Sequence, residues 1–79
     1  MDVKSKIGKR IKTLRGKLKI SQLDLSLISQ LDRTYITSVE NGKRNLSIVN
    51  LEKIATALNT TLKEFFNCDT FDTASINKF

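Results

Sequence analysis

The sequence predicts an all-α fold, and three observations carry that prediction. Apolar residues near the N-terminus recur at helical spacing, polar capping residues stand ahead of the later apolar runs, and no two alternating runs sit where they could pair as strands. A chain of 79 residues builds one domain. The expected organisation is a single domain over 1–79, with its core at 4–66 and a tail at 67–79. So small a core leaves little apolar area to offset the entropy lost on folding, and dimerisation is a natural supplement.

Ile7, Ile11, Leu14 and Leu18 fall on one helical stripe with Lys and Arg on the other faces, which predicts a first helix from about Lys4 to Leu18. Gly16 is its weak point, costing about 1 kcal/mol relative to Ala. Ser21 and Asp24 form a capping-box pattern with Asp in place of Glu, so a second helix is expected from Gln22 to about Ser29. Leu23, Leu25 and Leu27 alternate as a strand would, but a lone strand between helices has no partner. Asp32 caps a third helix, Arg33 to Asn41, ended by Asn41-Gly42. Its inner face carries Ile36 and Val39, and its outer face is polar: Arg33, Thr34, Thr37 and Ser38. Ser47 caps a fourth helix with Leu51, Ile54, Ala55 and Leu58 inward. Thr61 with Glu64 makes a second capping box, opening a short fifth helix that bears Leu62, Phe65 and Phe66. The tail from Asn67 is mostly polar, with scattered Phe71, Ile76 and Phe79, and receives no firm structure.

Fourteen Lys and Arg against eight Asp and Glu give a net charge of +6, a field that favours polyanions, nucleic acid before acidic membrane. The charge is concentrated: Lys4, Lys6, Lys9, Arg10, Lys12, Arg15, Lys17 and Lys19 stand against Asp2 alone, and the remainder of the chain is roughly neutral. The ordinary alternative is a solvated helix face. With Cys68 the only cysteine and no histidine, neither an intrachain disulfide nor a Cys/His zinc site can form, and no metal or cofactor is expected. That composition fits a reducing cytoplasm. No apolar run approaches the roughly 20 residues that span a bilayer, and no secretory signal precedes the first helix, so a cytoplasmic protein without membrane association is expected.

The second and third helices are joined by about three residues around Gln30 and Leu31, the length of turn that sets two helices at a steep angle. Such a pair suits DNA because the second helix enters the major groove while the first lies across the phosphates. Ser21-Gln22, Leu25, Leu31-Asp32-Arg33-Thr34-Tyr35-Ile36, Glu40-Asn41-Gly42-Lys43-Arg44, Leu58 and Phe65 together resemble the Cro/C1 (Xre-type) helix-turn-helix family over residues 7–66. Leu31 to Ile36 with Arg44-Asn45-Leu46 is further similar to the controller proteins of restriction-modification systems. The resemblance implies a five-helix, lambda repressor-like domain that regulates transcription as a homodimer on a near-palindromic operator.

It also implies roles. Gln22 matches the glutamine that opens the second helix and bonds a phosphate. Arg33, Thr34, Thr37 and Ser38 match base-facing positions, and Arg33 leads because its planar fork can pair with O6 and N7 of a guanine. Tyr35 matches a position that touches backbone or thymine methyls, with plain packing as its alternative. Asn41, Lys43, Arg44 and Asn45 match a phosphate-gripping loop, with the Arg44 position also a candidate for the minor groove. Arg15 and Glu40 match a structural ion pair between the first and third helices. Phe65, Phe66 and Phe71 are expected at the dimer interface, since so small a core has little room for all three.

Some positions depart from the family pattern. Lys19 and Gln30 stand where a left-handed glycine is usual, at roughly 1 to 2 kcal/mol. Ser26 replaces an alanine and is tolerable if its hydroxyl bonds back to the backbone. Leu23, Leu27 and Ile28 occupy positions normally polar; they are expected to cover the core edge, an extra contact surface being the alternative.

Catalysis is not expected. The chain offers no histidine and only isolated Gly8, Gly16 and Gly42 in place of a phosphate-cradling glycine loop, and no small-molecule substrate is expected. The competing class is a protein-binding module on the same fold, an antitoxin or adaptor, against which Arg33-Thr34 on the outer helix face argues. RNA polymerase is a candidate further partner.

Overall fold

The computed structural model describes residues 2–72. Five α-helices follow one another: α1 (Val3–Leu18), α2 (Gln22–Ser29), α3 (Arg33–Glu40), α4 (Ile48–Ala57) and α5 (Leu62–Phe66). A single 3₁₀ turn at Asp69–Phe71 comes after them. Among the described residues there is no strand. The third helix stops one residue earlier than expected, with Asn41 as its C-cap. Ile76 and Phe79 lie outside the described residues.

Each helix starts where a side-chain oxygen takes up a free backbone N–H. Asp2 accepts from Ser5, Ser21 from Asp24, Asp32 from Thr34, Ser47 from Asn50 and Thr61 from Glu64. The box at Ser21 is reciprocal, since Asp24 Oδ2 accepts the Ser21 N–H at 2.9 Å. The one expected at Thr61 is only half formed: Glu64 N donates to Thr61 Oγ1 at 3.1 Å, and no return bond from the Glu64 carboxylate is present.

The ends of α1 to α4 share one device. Lys19, Gln30, Gly42 and Asn59 all adopt left-handed backbone, at φ of 57°, 60°, 72° and 59°. The N–H of the residue after each reaches back to a carbonyl of the last turn, as in Ile20 to Arg15, Leu31 to Ser26, Lys43 to Ser38 and Thr60 to Ala55. Only one of the four is glycine, so the expected strain at Lys19 and Gln30 is present, and Asn59 adds a milder case.

The core is built from Ile11, Leu25, Ile36, Val39, Leu51, Ile54, Ala55, Leu58 and Phe65, with Ile7, Leu14, Ile20, Leu31, Tyr35, Leu46 and Phe71 packed around it. Leu18, the last residue of the predicted stripe, is exposed, while Ile20 just beyond the helix packs inward. The α1 helix lies against α3, and α2 against both α3 and α4. The α1–α3 approach depends on Gly8, where a Cβ would stand 2.5 Å from the carbonyl oxygen of Glu40 and 2.6 Å from that of Val39.

Two expectations need correction. Phe65, expected at a dimer interface, is fully buried within the protomer, because α5 turns its ring into the space between the other helices; Phe66 remains 39% exposed beside it. Leu23, Leu27 and Ile28 do not cover the core edge. They are 49%, 68% and 57% exposed, because the inward face of so short a helix is already filled by Leu25 and Ser29.

Candidate nucleic-acid interface

The turn between α2 and α3 sets the direction of α3, and three serine and leucine groups lock it. Ser26 Oγ donates to the Leu31 carbonyl at 2.6 Å, and the Leu31 N–H donates to the Ser26 carbonyl at 3.2 Å. Ser26 thus bonds forward across the turn rather than back into its own helix. The buried Ser29 hydroxyl, which the sequence did not flag, donates to the Ser26 carbonyl and accepts from Leu31 N, both at 3.4 Å. A polar group so enclosed must find partners, and both it finds belong to the turn.

With Ile36 and Val39 facing inward, α3 turns its other side to solvent. Arg33 and Thr34 are exposed, and Thr37 and Ser38 are partly so. Among the described residues Arg33 has no ion-pair partner, so its guanidinium is available to a ligand. Thr37 is less free: its hydroxyl lies 3.0 Å from both Gln22 Oε1 and the Arg33 carbonyl, and its one proton serves one acceptor at a time.

Behind this face lies a network linking three helices. Arg15 of α1 donates through Nε to Glu40 Oε2 at 2.8 Å and through Nη2 to Oε1 at 3.0 Å; its Nη1 reaches the Ile20 carbonyl at 3.0 Å. Gln22 of α2 donates through Nε2 to Glu40 Oε1 at 3.1 Å and accepts from Thr37. The Glu40 carboxylate is completely buried, and the hydrogen bonds and charge it offers raise the Arg15 pKa against the opposing effect of burial. Arg15 and Glu40 are paired, as the family resemblance implies. The engagement of Gln22 and Thr37 in the same network had no local signal, because both look like solvent-facing polar positions. Held in this way, Gln22 keeps one amide N–H uncommitted at the start of α2.

Beyond α3, Gly42 turns the chain into a loop whose Asn41, Lys43, Arg44 and Asn45 are all exposed. A side chain at Gly42 is doubly disfavoured, by φ +72° and by Ser5 Oγ at 2.6 Å from a Cβ. Tyr35 does not project freely: it packs on the core, accepts from Asn50 Nδ2 at 3.2 Å, and has the Arg44 guanidinium 4.9 Å from its ring centroid. That cation–π contact places Arg44 on the flank of α3.

Of the expected interface phenylalanines, Phe66 packs edge-on to Phe71, centroids 4.8 Å apart, and to the buried Phe65 at 5.1 Å. Sequence reasoning passed over Ile48 and Val49 at the start of α4, which are 81% and 61% exposed. Their only sequence signal is that they are apolar off the inward stripe of α4. Among the described residues no group of His, Cys, Asp and Glu could hold a metal ion.

Residues 11–65 match the family model described as helix-turn-helix. The chain is 49% identical over 67 residues to the control protein C.MunI of a Mycoplasma species, covering 84% of this chain and 90% of that one. Its fold is similar to the restriction-modification controller protein C.AhdI from Aeromonas hydrophila, with a TM-score of 0.77 and 44% identity over 80% of this chain and 96% of that one. It is likewise similar to the controller protein C.Esp1396I, solved as a tetramer in complex with its natural 35 base-pair operator. There the TM-score is 0.79 and the identity 39%, over 84% of this chain and 87% of that one.

Proposed function

Because this chain belongs to the helix-turn-helix family, within the group of control proteins that includes C.MunI, we propose that it is a sequence-specific DNA-binding transcriptional regulator and the controller of a restriction-modification system. It acts as a homodimer on a near-palindromic operator, its two α3 helices entering successive major grooves about 34 Å apart. The single observation that carries this is the unpacked polar face of α3, led by Arg33, which has no ion-pair partner among the described residues, and backed by the Arg15–Glu40–Gln22–Thr37 network.

The roles divide by chemistry. Arg33, Thr34, Thr37 and Ser38 read base edges. Gln22, Asn41, Lys43 and Asn45 fix register on phosphates, and Arg44, held against Tyr35, meets backbone or groove beside α3. Arg15 and Glu40 position the helices and touch no DNA. Phe66, with Phe71 beside it, supplies apolar surface to the dimer, joined by the exposed Ile48 and Val49. Bound upstream of a promoter, the dimer is placed to touch RNA polymerase; bound over it, it excludes the enzyme. The regulator carries out no catalytic step. No helix of the described residues is long and apolar enough to cross a membrane.

Footprinting on the duplex flanking its own gene tests the assignment, with a two-fold related protected site as the expected result and no protection as the contrary one. On that duplex Arg33→Ala is expected to weaken binding by about 1 to 3 kcal/mol while leaving binding to unrelated duplex nearly intact. Equal losses on both duplexes would reject a base-reading role for Arg33.

A further inference from the structure

We infer that Lys9 and Lys12 of α1, with Ser5, form a second phosphate seat that continues the DNA-binding surface past the C-terminal end of α3. This rests on the DNA-binding function proposed above and adds residues that were not assigned to it.

Ser5, Lys9 and Lys12 follow one another at helical spacing, so they share a line on α1. Two close approaches fix where that line lies. Gly8 rests against the carbonyls of Val39 and Glu40, and Ser5 rests against Gly42, so this flank of α1 is laid along the end of α3. Ser5, Lys9, Lys12, Glu40 and Asn41 together line an open cleft of about 270 Å³. Its one acid, Glu40, is buried and already bound by Arg15 and Gln22, so among the described residues no free carboxylate in the cleft offsets its two ammonium groups.

Arg10, Arg15 and Lys17 of α1 differ from this pair. Arg15 is committed to Glu40. Arg10 donates through Nε to the Phe65 carbonyl at 2.7 Å and through Nη2 to the Glu64 carbonyl at 2.8 Å, so the opposite flank of α1 faces α5. Lys17, two turns beyond Arg10, lies on that opposite flank. Lys4 lies farther along the loop that follows α3, beside Arg44 and Asn45, whereas Lys9 and Lys12 stand beside Asn41 at the very end of α3, and α3 spans only about 12 Å from Arg33 to that end. A recognition helix set in a groove of comparable width brings that end to the backbone, where ammonium groups meet phosphodiester oxygens.

The test compares the salt dependence of binding to the operator duplex and to an unrelated duplex for the wild type and three variants. Each phosphate neutralised contributes about 0.9 to the slope of log K against log salt. Lys9→Gln with Lys12→Gln is expected to lower that slope by about 2 on both duplexes, with an unchanged melting temperature. The paired Lys→Arg variant is expected to keep the wild-type slope, and Lys17→Gln to leave it unaltered. A wild-type slope in the double glutamine variant overturns the proposal, as does an equal loss in Lys17→Gln. A wild type whose binding is absent or insensitive to salt overturns the DNA-binding function itself, and the two failures are thereby told apart.

Discussion

Glu40 receives Arg15 in a two-pronged contact, at 2.8 Å and 3.0 Å, and then lends the second of those oxygens to Gln22, so one buried carboxylate joins α1 and α2 to the end of α3. The side chain of Glu40 is fully enclosed and that of Arg15 is 21% exposed. Removing the charge therefore leaves a cation with little solvent to turn to. Glu40→Gln is expected to destabilise the domain by about 2 kcal/mol, a value moderated by the partial exposure of Arg15. Urea denaturation measures it, and a change below about 0.5 kcal/mol would mean that the network is only an accompaniment to packing that holds without it.

Two glycines of α1 should respond to the same substitution with opposite signs. Gly8→Ala forces a methyl group onto the carbonyls of Val39 and Glu40, which are backbone and cannot swing aside. It is expected to cost about 1 to 3 kcal/mol through displacement of α1 from α3. Gly16→Ala meets nothing within 4 Å and is expected to gain about 1 kcal/mol of helix propensity. Thermal melts of the two variants read both effects, and a shared sign would contradict the placement of α1.

Gln30 holds a left-handed conformation at the turn that aims α3, and its side chain is exposed. Gln30→Gly relieves the steric cost, although the greater freedom of glycine in the unfolded chain takes part of it back. A net gain of about 0.5 to 1 kcal/mol is expected, visible as a melting temperature several degrees higher with DNA affinity retained. A lower melting temperature would show that Gln30 contributes contacts outweighing its strain.

Asp24 gives the pH dependence. The backbone N–H of Ser21, and then its side chain, bond the carboxylate and hold its pKa below the ordinary 3.8. A depressed folded-state value means that the ionised cap stabilises the fold above the ordinary aspartate range, and that this contribution disappears as the pH falls through the folded value. Asp24→Asn is therefore expected to melt below the wild type at pH 6, and the gap should begin to narrow only as the pH falls below about 3.8. A gap that does not narrow at all as the pH falls below that point would assign the difference to something other than the charge.

Much of this molecule was legible along the chain. The helix starts at Gln22, Arg33, Ile48 and Leu62 followed from Ser21, Asp32, Ser47 and Thr61, because a cap is a bond between neighbours and needs nothing from the rest of the fold. The inward residues of α4 followed from spacing for the same reason. The strain at Lys19 and Gln30 followed from the family resemblance, which implies a left-handed glycine at both positions, but Asn59 passed unnoticed, since no comparable departure from the family pattern marked the close of α4. Phe65 and Phe66 are adjacent aromatics whose opposite fates depend on how α5 is rotated, which no local rule sets.

By itself, then, the sequence determined an all-helical domain, the starts of α2 to α5 and the polar face of α3, because these depend on interactions within a turn or two of chain. Tertiary structure alone decided what each charge does. Arg10 and Lys9 are consecutive cations on one helix, yet Arg10 is bound to carbonyls 54 and 55 residues away, while Lys9 stands over an open cleft at the end of α3. The physical reason is that a charged side chain takes its role from the polar groups packing brings near it, and packing is fixed by the whole chain at once.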